Sequence, residues 1–281
     1  MNNNKIKRIG LALGIATFWL VLWATLAAVI GKELLLPYPW TVLKKLCELV
    51  ITLPFWQNVI LTLLRILLGI IAALVCGTLL AVLTSCSKVA YRFLYPLITV
   101  IRATPVASFI ILIWIWLGSG KLPVFICFLM VLPIIWSAVS DGIRALDPKL
   151  AEVCAVFKLS FGKRLLRFYV PSVLPYFLSA VKTSIGMGWK AGVAAEVIGL
   201  PDGSMGERLY MAKVYFMTPE LFAWTAVIVA VSVVFEKLFW GIDVPGYATI
   251  IVLILLLGSM QLICIGIIGE YVGRTFEQTK D

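Results

Sequence analysis

The sequence contains no histidine. Without imidazole, the chain cannot build a Ser-His nucleophile pair, a histidine proton relay or a histidine metal ligand. Its six cysteines show no Cys-x-x-Cys spacing, so neither a zinc site nor a disulfide framework is indicated. These absences remove the catalytic and metal-binding arrangements that depend on histidine or on paired cysteines.

Charged residues are also scarce, at 14% of the chain, whereas 62% of the residues are hydrophobic. The mean hydropathy is +1.05. Apolar runs of about 20 residues recur, and a helix of that length crosses the ~30 Å hydrocarbon core of a bilayer. No stretch is long and polar enough for a separate soluble domain of ordinary size. The composition predicts an all-α, polytopic membrane protein.

Seven apolar segments are candidate membrane spans, six of them before residue 241 and a seventh near the C-terminus. Their approximate bounds are 10–30, 57–86, 97–118, 122–141, 173–199, 221–240 and 247–269. The charged N-terminus has the start of a signal peptide, but the first apolar run is longer than a typical signal-peptide core and no convincing cleavage site follows it. We expect this segment to be retained as the first span.

The net charge of +10 favours cytoplasmic loops over nucleic-acid binding, because basic residues accumulate on the cytoplasmic side of membrane proteins. Lys5, Lys7 and Arg8 precede the first span and predict a cytoplasmic N-terminus. Alternation of the spans then places residues 142–172 inside, and this loop has the largest positive excess of any loop. Both observations predict the same orientation in the cell (inner) membrane.

The stretch "AEVCAVFKLSFGKRLLRFYVPSVLP" at 151–175 is too basic to span a membrane and too apolar for a solvated loop. Short amphipathic helices on the cytoplasmic surface satisfy both properties. Gly162 is expected to divide them, and Pro171 and Pro175 to mark the turn into the next span. Composition alone leaves three partners open: anionic lipid headgroups, the rest of the same chain, or another protein.

This stretch resembles the cytoplasmic signature loop of binding-protein-dependent ABC transporter permeases. Glu152, Val153 and Cys154 take the positions of the Glu-Ala-Ala motif of that family. Lys158 stands where the family has glycine, and a left-handed turn there would cost on the order of 1 kcal/mol for a residue with a side chain. Either Gly162 provides the bend or the first helix runs longer.

Three further segments resemble the nitrate, sulfonate and taurine branch of these permeases. They are "LLPYPWTVLKKL" at 35–46, "YPLITVIRATPVASFIILIWIWLGSGKLP" at 95–123 and "AVKTSIGMGWKAGVAAEVIG" at 180–199. The resemblance implies a type I ABC importer-like permease. The expected units are residues 1–34 with the first span, a transmembrane domain at 35–240 whose coupling loop is 142–172, and an additional membrane segment at 241–281.

In this family the loop docks on a separate cytoplasmic ATPase subunit, so the resemblance implies a transporter subunit and not an enzyme, without catalytic residues, metal or cofactor of its own. The contact is expected within residues 152–164. The residues expected to form it are Glu152, Val153, Cys154, Phe157, Lys158, Leu159, Ser160, Phe161 and Gly162. The sequence "GSGK" at 118–121 lacks the first glycine and the Ser or Thr of a phosphate-binding loop, so ATP is expected on the partner.

The resemblance also implies an extracytoplasmic solute-binding protein and a homodimer in membrane lipid, and no nucleic acid. Charges inside a membrane are costly, which makes Lys182, Lys190 and Glu196 of the fifth span candidates for the solute pathway. Trp189 occupies a characteristic position of the branch and is a fourth candidate. A lysine that faces the central cavity would favour a small anionic solute, whereas Glu196 fits a structural role equally well.

The tail at 241–281 resembles the last membrane segment of bactoprenol glucosyltransferases, which ends in a similar Gly-Ile-Ile-Gly-Glu-Tyr-x-Gly-Arg sequence. An extra packing helix is one interpretation. The alternative function is a non-transporting membrane component of polyprenyl-phosphate sugar metabolism. Glucosyltransferase activity is not expected, because the chain has no Asp-x-Asp motif and no room for the soluble domain. A secondary transporter would need an inverted repeat, and none is visible.

Overall fold

The computed structural model describes residues 3–146 and 160–240, and every regular element in these two ranges is helical. The elements are α1 (Asn3–Ile30), α2 (Pro39–Val50), α3 (Leu53–Cys86), α4 (Lys88–Ala103), α5 (Val106–Arg144), α6 (Phe161–Arg164), a π-helical turn (Leu165–Tyr169), α7 (Val170–Gly199), α8 (Met205–Val214) and α9 (Thr218–Trp240). The all-α prediction is confirmed. Of the predicted coupling residues, 152–159 lie outside the described residues, as does the tail at 241–281.

Length and hydropathy single out three of these helices as able to cross a membrane on their own: α3, α5 and the Thr218–Phe235 part of α9. Helix α5 is interrupted at Gly118, whose φ of 66° and ψ of 177° suit only glycine. Ile110 and Ile113 before the break share one apolar cluster with Leu122 and Ile126 after it. The chain therefore breaks at Gly118, the first residue of the predicted turn at 118–123, whereas residues 119–123 already belong to the second arm of α5.

The predicted span at 97–118 is wrong as a single helix. Helix α4 ends at Ala103, and Thr104 (φ −84°, ψ 130°) is extended. The cause is Pro105, because the proline ring disfavours helical geometry at the residue before it. Arg102 bridges the break: its Nη2 donates to the Pro133 carbonyl oxygen at 2.8 Å and to Ser137 Oγ at 2.6 Å.

Gly162 does not provide the expected bend, and the turn into the next span that was expected at Pro171 and Pro175 is also wrong. Gly162 lies within α6, with no left-handed backbone, and α6 continues through the π-helical turn into α7. Pro171 lies in the first turn of α7 and Pro175 inside it. The π-helical turn directly precedes Pro171, and such a widened turn accommodates a proline ring that would clash with the carbonyl one turn earlier.

Glycines allow α3, α5 and α7 to approach closely. A Cβ atom on Gly192 of α7 would lie 2.6 Å from Cys127 Sγ on α5 and 2.6 Å from Ile66 Cγ1 on α3. A Cβ on Gly188 would lie 2.8 Å from Ile70 Cγ1. Small residues at such contacts are typical of helix packing in membranes, where van der Waals contact replaces the hydrophobic effect between helices. The three helices form one core filled by side chains.

Candidate functional site

The carboxylate of Glu196 lies at the junction of α3, α7 and α8 and is completely buried. Its Oε2 accepts a hydrogen bond from Thr62 Oγ1 at 2.8 Å and another from the backbone N–H of Gly206 at 3.3 Å. Thr62 Oγ1 in turn accepts from the N–H of Met205 at 3.0 Å. The first N–H groups of a helix have no partner within the helix, so Glu196 and Thr62 together cap α8.

The negative charge of Glu196 is balanced by Arg65, one turn along α3 from Thr62. Arg65 Nη1 lies 3.7 Å from Glu196 Oε1, an ion pair without a hydrogen bond between these two atoms. Arg65 Nη2 donates to the carbonyl oxygen of Asp202 at 2.9 Å and so holds the loop before α8. Removal of either partner would leave the other charge buried and uncompensated, which is costly.

Helix α8 was not anticipated, although the sequence carries its start signal. Ser204 and Glu207 have the spacing of a capping box, and Ser204 Oγ accepts from the Glu207 N–H at 3.0 Å. Glu207 Oε2 accepts from the N–H of Gly203 at 2.9 Å. Gly203 has a φ of 69°. The partners of Glu196, by contrast, are separated from it by up to 134 residues, and no local sequence signal connects them.

The four pathway candidates divide into two buried and two exposed residues. Trp189 is 3% exposed and belongs to the core, with its ring 6.1 Å from that of Phe235. Glu196 is buried as described above. Lys182 and Lys190 are exposed, and Met187 between them is 45% exposed.

From residue 182 to its end, α7 has four exposed residues, Lys182, Thr183, Met187 and Lys190. The spacing of Thr183, Met187 and Lys190 by three to four residues places these three along one side of the helix. Lys182 lies about 100° around the helix from Thr183, at the edge of that side. Gly188 and Gly192, which contact α3 and α5, face the core instead. We call the exposed side, residues 182, 183, 187 and 190, the α7 lysine face.

The described end of the coupling loop is exposed. Ser160 and Gly162 are exposed, and a Cβ atom on Gly162 would meet no atom within 4 Å. Phe168, in the π-helical turn, is buried, whereas Lys163 and Arg167, which precede it, are exposed. Two basic side chains of the segment that leads into α7 therefore lie at the surface.

No group of three or more cysteine or acidic side chains among residues 3–146 and 160–240 could hold a metal ion.

Residues 65–264 match the family described as binding-protein-dependent transport system inner membrane component. The taurine transport system permease protein TauC of Escherichia coli is 26% identical over 238 residues, which are 82% of this chain and 86% of that protein. The nitrate import permease protein NrtB of Synechococcus elongatus is 28% identical over 206 residues, 69% of this chain and 73% of that protein.

A solved structure titled as an amino acid ABC transporter with histidines has a similar fold, with a TM-score of 0.54 and 20% sequence identity. The similarity covers 66% of this chain and 90% of that one. An uncharacterized glycosyltransferase of Synechocystis is 38% identical over 79 residues, which are 28% of this chain and 25% of the glycosyltransferase. This shorter match gives partial support to the resemblance proposed for the tail.

Proposed function

Because the chain belongs to the family of binding-protein-dependent transport system inner membrane components, we propose that it forms the path of a small anionic solute. It is a multi-pass permease subunit of an ATP-driven importer in the inner membrane, and not an enzyme. Its partners are an ATPase subunit and a solute-binding protein. This membership does not favour the alternative of a non-transporting component of polyprenyl-phosphate sugar metabolism.

The observation that carries the proposal is the charge on the α7 lysine face. Lys182 and Lys190 are exposed, whereas the acidic residue of the same helix, Glu196, is buried beside Arg65. The exposed side of α7 is therefore positive, and a positive surface raises the local concentration of anions. The names of the relatives agree, since nitrate is an anion and taurine carries a sulfonate.

We place the path between two copies of the chain. The core formed by the described residues of α3, α5 and α7 is filled, with Ile66, Ile126 and Ala195 fully buried. The α7 lysine face, by contrast, points away from that core. A second copy related by two-fold symmetry would bring two such faces together around a common path.

We place the N-terminus in the cytoplasm and the ATPase contact within residues 152–164. The exposed Ser160 and Gly162 lead without interruption through α6 and the π-helical turn into α7. A displacement of the docked segment would therefore be transmitted along a continuous helix toward Lys182. Rigid-body movement of this kind is a common way to couple a partner to a distant site.

Transport by the reconstituted importer tests the charge of the path. Proteoliposomes that contain the permease, its ATPase subunit and its solute-binding protein are assayed for uptake of labelled taurine and nitrate. We expect Lys182→Gln and Lys190→Gln each to lower uptake about tenfold, because local anion concentration falls with the positive field. Lys44→Gln is the matched control, since Lys44 is exposed on α2. Unchanged uptake in both α7 variants would contradict an anion path along this face.

A further inference from the structure

A basic cavity lies where α3 ends, α4 begins and α5 ends. Its volume is about 440 Å³ and its lining includes Lys88, Arg92 and Arg144. This volume falls within the range of small-molecule sites in proteins. We propose that the cavity binds the phosphate-bearing headgroup of an anionic phospholipid.

The positive charges of Lys88, Arg92 and Arg144 line one cavity, and few acidic side chains in the described part of the chain balance them. No acidic side chain there lies within 4.0 Å of Lys88 or Arg92. Arg144 has one acidic neighbour, Asp141, whose Oδ1 is 4.0 Å from Arg144 Nη1. Lys88 also lies in the first turn of α4, where the helix dipole disfavours positive charge and no acidic residue offsets it. A bound anion would relieve this repulsion.

Aromatic residues hold one wall of the cavity in place. The guanidinium carbon of Arg144 lies 4.9 Å from the centre of the Tyr91 ring, a cation–π contact. The Tyr91 ring stacks on Trp136 at 5.9 Å. Trp136 is in turn fixed by its Nε1, which donates to Thr84 Oγ1 at 3.0 Å. Arg144 is thus positioned before any anion arrives, and a preorganised guanidinium is well suited to phosphate.

The surface next to the cavity favours a lipid over a free phosphate ion. Helix α4 carries Lys88 and Arg92 on one side, and beside them the apolar residues Val89, Phe93 and Leu97, which are 65%, 81% and 55% exposed. A spacing of four residues aligns these three side chains along the helix. An acyl chain could lie along this apolar row while its headgroup enters the cavity. Basic pockets between spans at headgroup level are typical lipid-binding places.

Lipid binding by the purified full-length chain tests this proposal. The chain is placed in phosphatidylcholine nanodiscs, and the retention of labelled phosphatidylglycerol is compared between wild type, the double variant Lys88→Gln/Arg92→Gln and the control Lys44→Gln/Lys121→Gln. Both doubles remove two exposed positive charges. We expect the wild type and the control to prefer phosphatidylglycerol, and the cavity double to lose this preference about tenfold.

Three results would overturn the proposal. The first is an equal preference for phosphatidylglycerol in both double variants. The second is displacement of the lipid from the wild type by millimolar inorganic phosphate, which would indicate a site for the free ion. The third is a cavity double that retains the lipid but loses the ATPase subunit on co-purification, which would indicate a protein contact. Melting temperatures of the exposed-site variants verify that each chain is folded.

Discussion

Thr62 Oγ1 and Glu196 Oε2 lie 2.8 Å apart across the interface of α3 and α7, although 134 residues separate them in the chain. The two side chains share the task of capping α8 through the N–H groups of Met205 and Gly206. This relationship explains why a fully buried carboxylate is tolerated in the fifth span: it has donors on two elements and Arg65 as a counter-ion.

Replacing Glu196 by leucine is expected to destabilise the protomer by about 3 kcal/mol or more. The change leaves Arg65 without its counter-ion and Gly206 N–H without an acceptor, and breaking a buried ion pair from one side has this order of cost. The measurement is the melting temperature of the purified chain in detergent. Glu48→Leu, at an exposed position of α2, is the control. A Glu196→Leu variant that melts like the wild type but does not transport would indicate a pathway role instead.

Replacing Gly192 by alanine is expected to cost about 1–3 kcal/mol, because a Cβ there would lie 2.6 Å from Cys127 Sγ and overpacking of a tight core has costs in this range. Gly14→Ala serves as the matched control. Gly14 also lies inside a helix, but a Cβ there would meet no atom within 4 Å, and alanine favours a helix over glycine. The melting temperatures of the two variants, measured by thermal unfolding, are compared. Equal melting temperatures would show that α3, α5 and α7 are less tightly packed than described.

Replacing Ser204 by alanine is expected to destabilise α8 by about 1 kcal/mol, the usual cost of losing an N-cap side chain. Ser204 Oγ is the acceptor for the Glu207 N–H at 3.0 Å, and the residue is fully buried. Hydrogen exchange of the amides at the start of α8 measures the effect locally. Ser204→Asp retains a capping oxygen. If its amides are better protected than those of Ser204→Ala, the loss in Ser204→Ala is due to the missing cap and not to a general loss of stability. Unchanged exchange in Ser204→Ala would contradict the capping role.

Replacing Gly162 by tryptophan is expected to reduce co-purification of the ATPase subunit at least tenfold while the chain remains folded. A side chain at Gly162 has open space within the protomer, so the bulk would project toward a docked partner. Gly120→Trp introduces the same bulk at another open position and is expected to retain the subunit. If both variants bind the ATPase equally well, the contact lies elsewhere than residues 152–164.

Much of the helical layout could be predicted from the sequence, because apolar runs of membrane length are a local property. The predicted spans correspond to α1, α3, the second arm of α5, α7 and α9. A turn was predicted at 118–123, and the structure has its break at Gly118, the first of these residues. The errors concern backbone geometry near prolines: Pro105 divides a predicted span, whereas the chain remains helical through Pro171 and Pro175, where a turn into a span was expected.

The candidate site could be predicted only in part. Lys182, Trp189, Lys190 and Glu196 were chosen for their residue types, and the structure separates them into exposed lysines and buried Trp189 and Glu196. Helical spacing alone does not tell which side of α7 faces the core. That side is decided by Gly188 and Gly192, which allow α3 and α5 to approach.

The sequence by itself determined the class of this protein: an all-helical permease, recognised from apolar runs, loop charges and motifs that are continuous in the chain. Only the tertiary structure decided the partners of Glu196 and the grouping of Lys88, Arg92 and Arg144 around one cavity. The physical reason is that hydropathy and capping signals act over a few neighbouring residues. The pairing of a buried charge with its partner depends on which helices pack together, and close contacts between distant segments decide that packing.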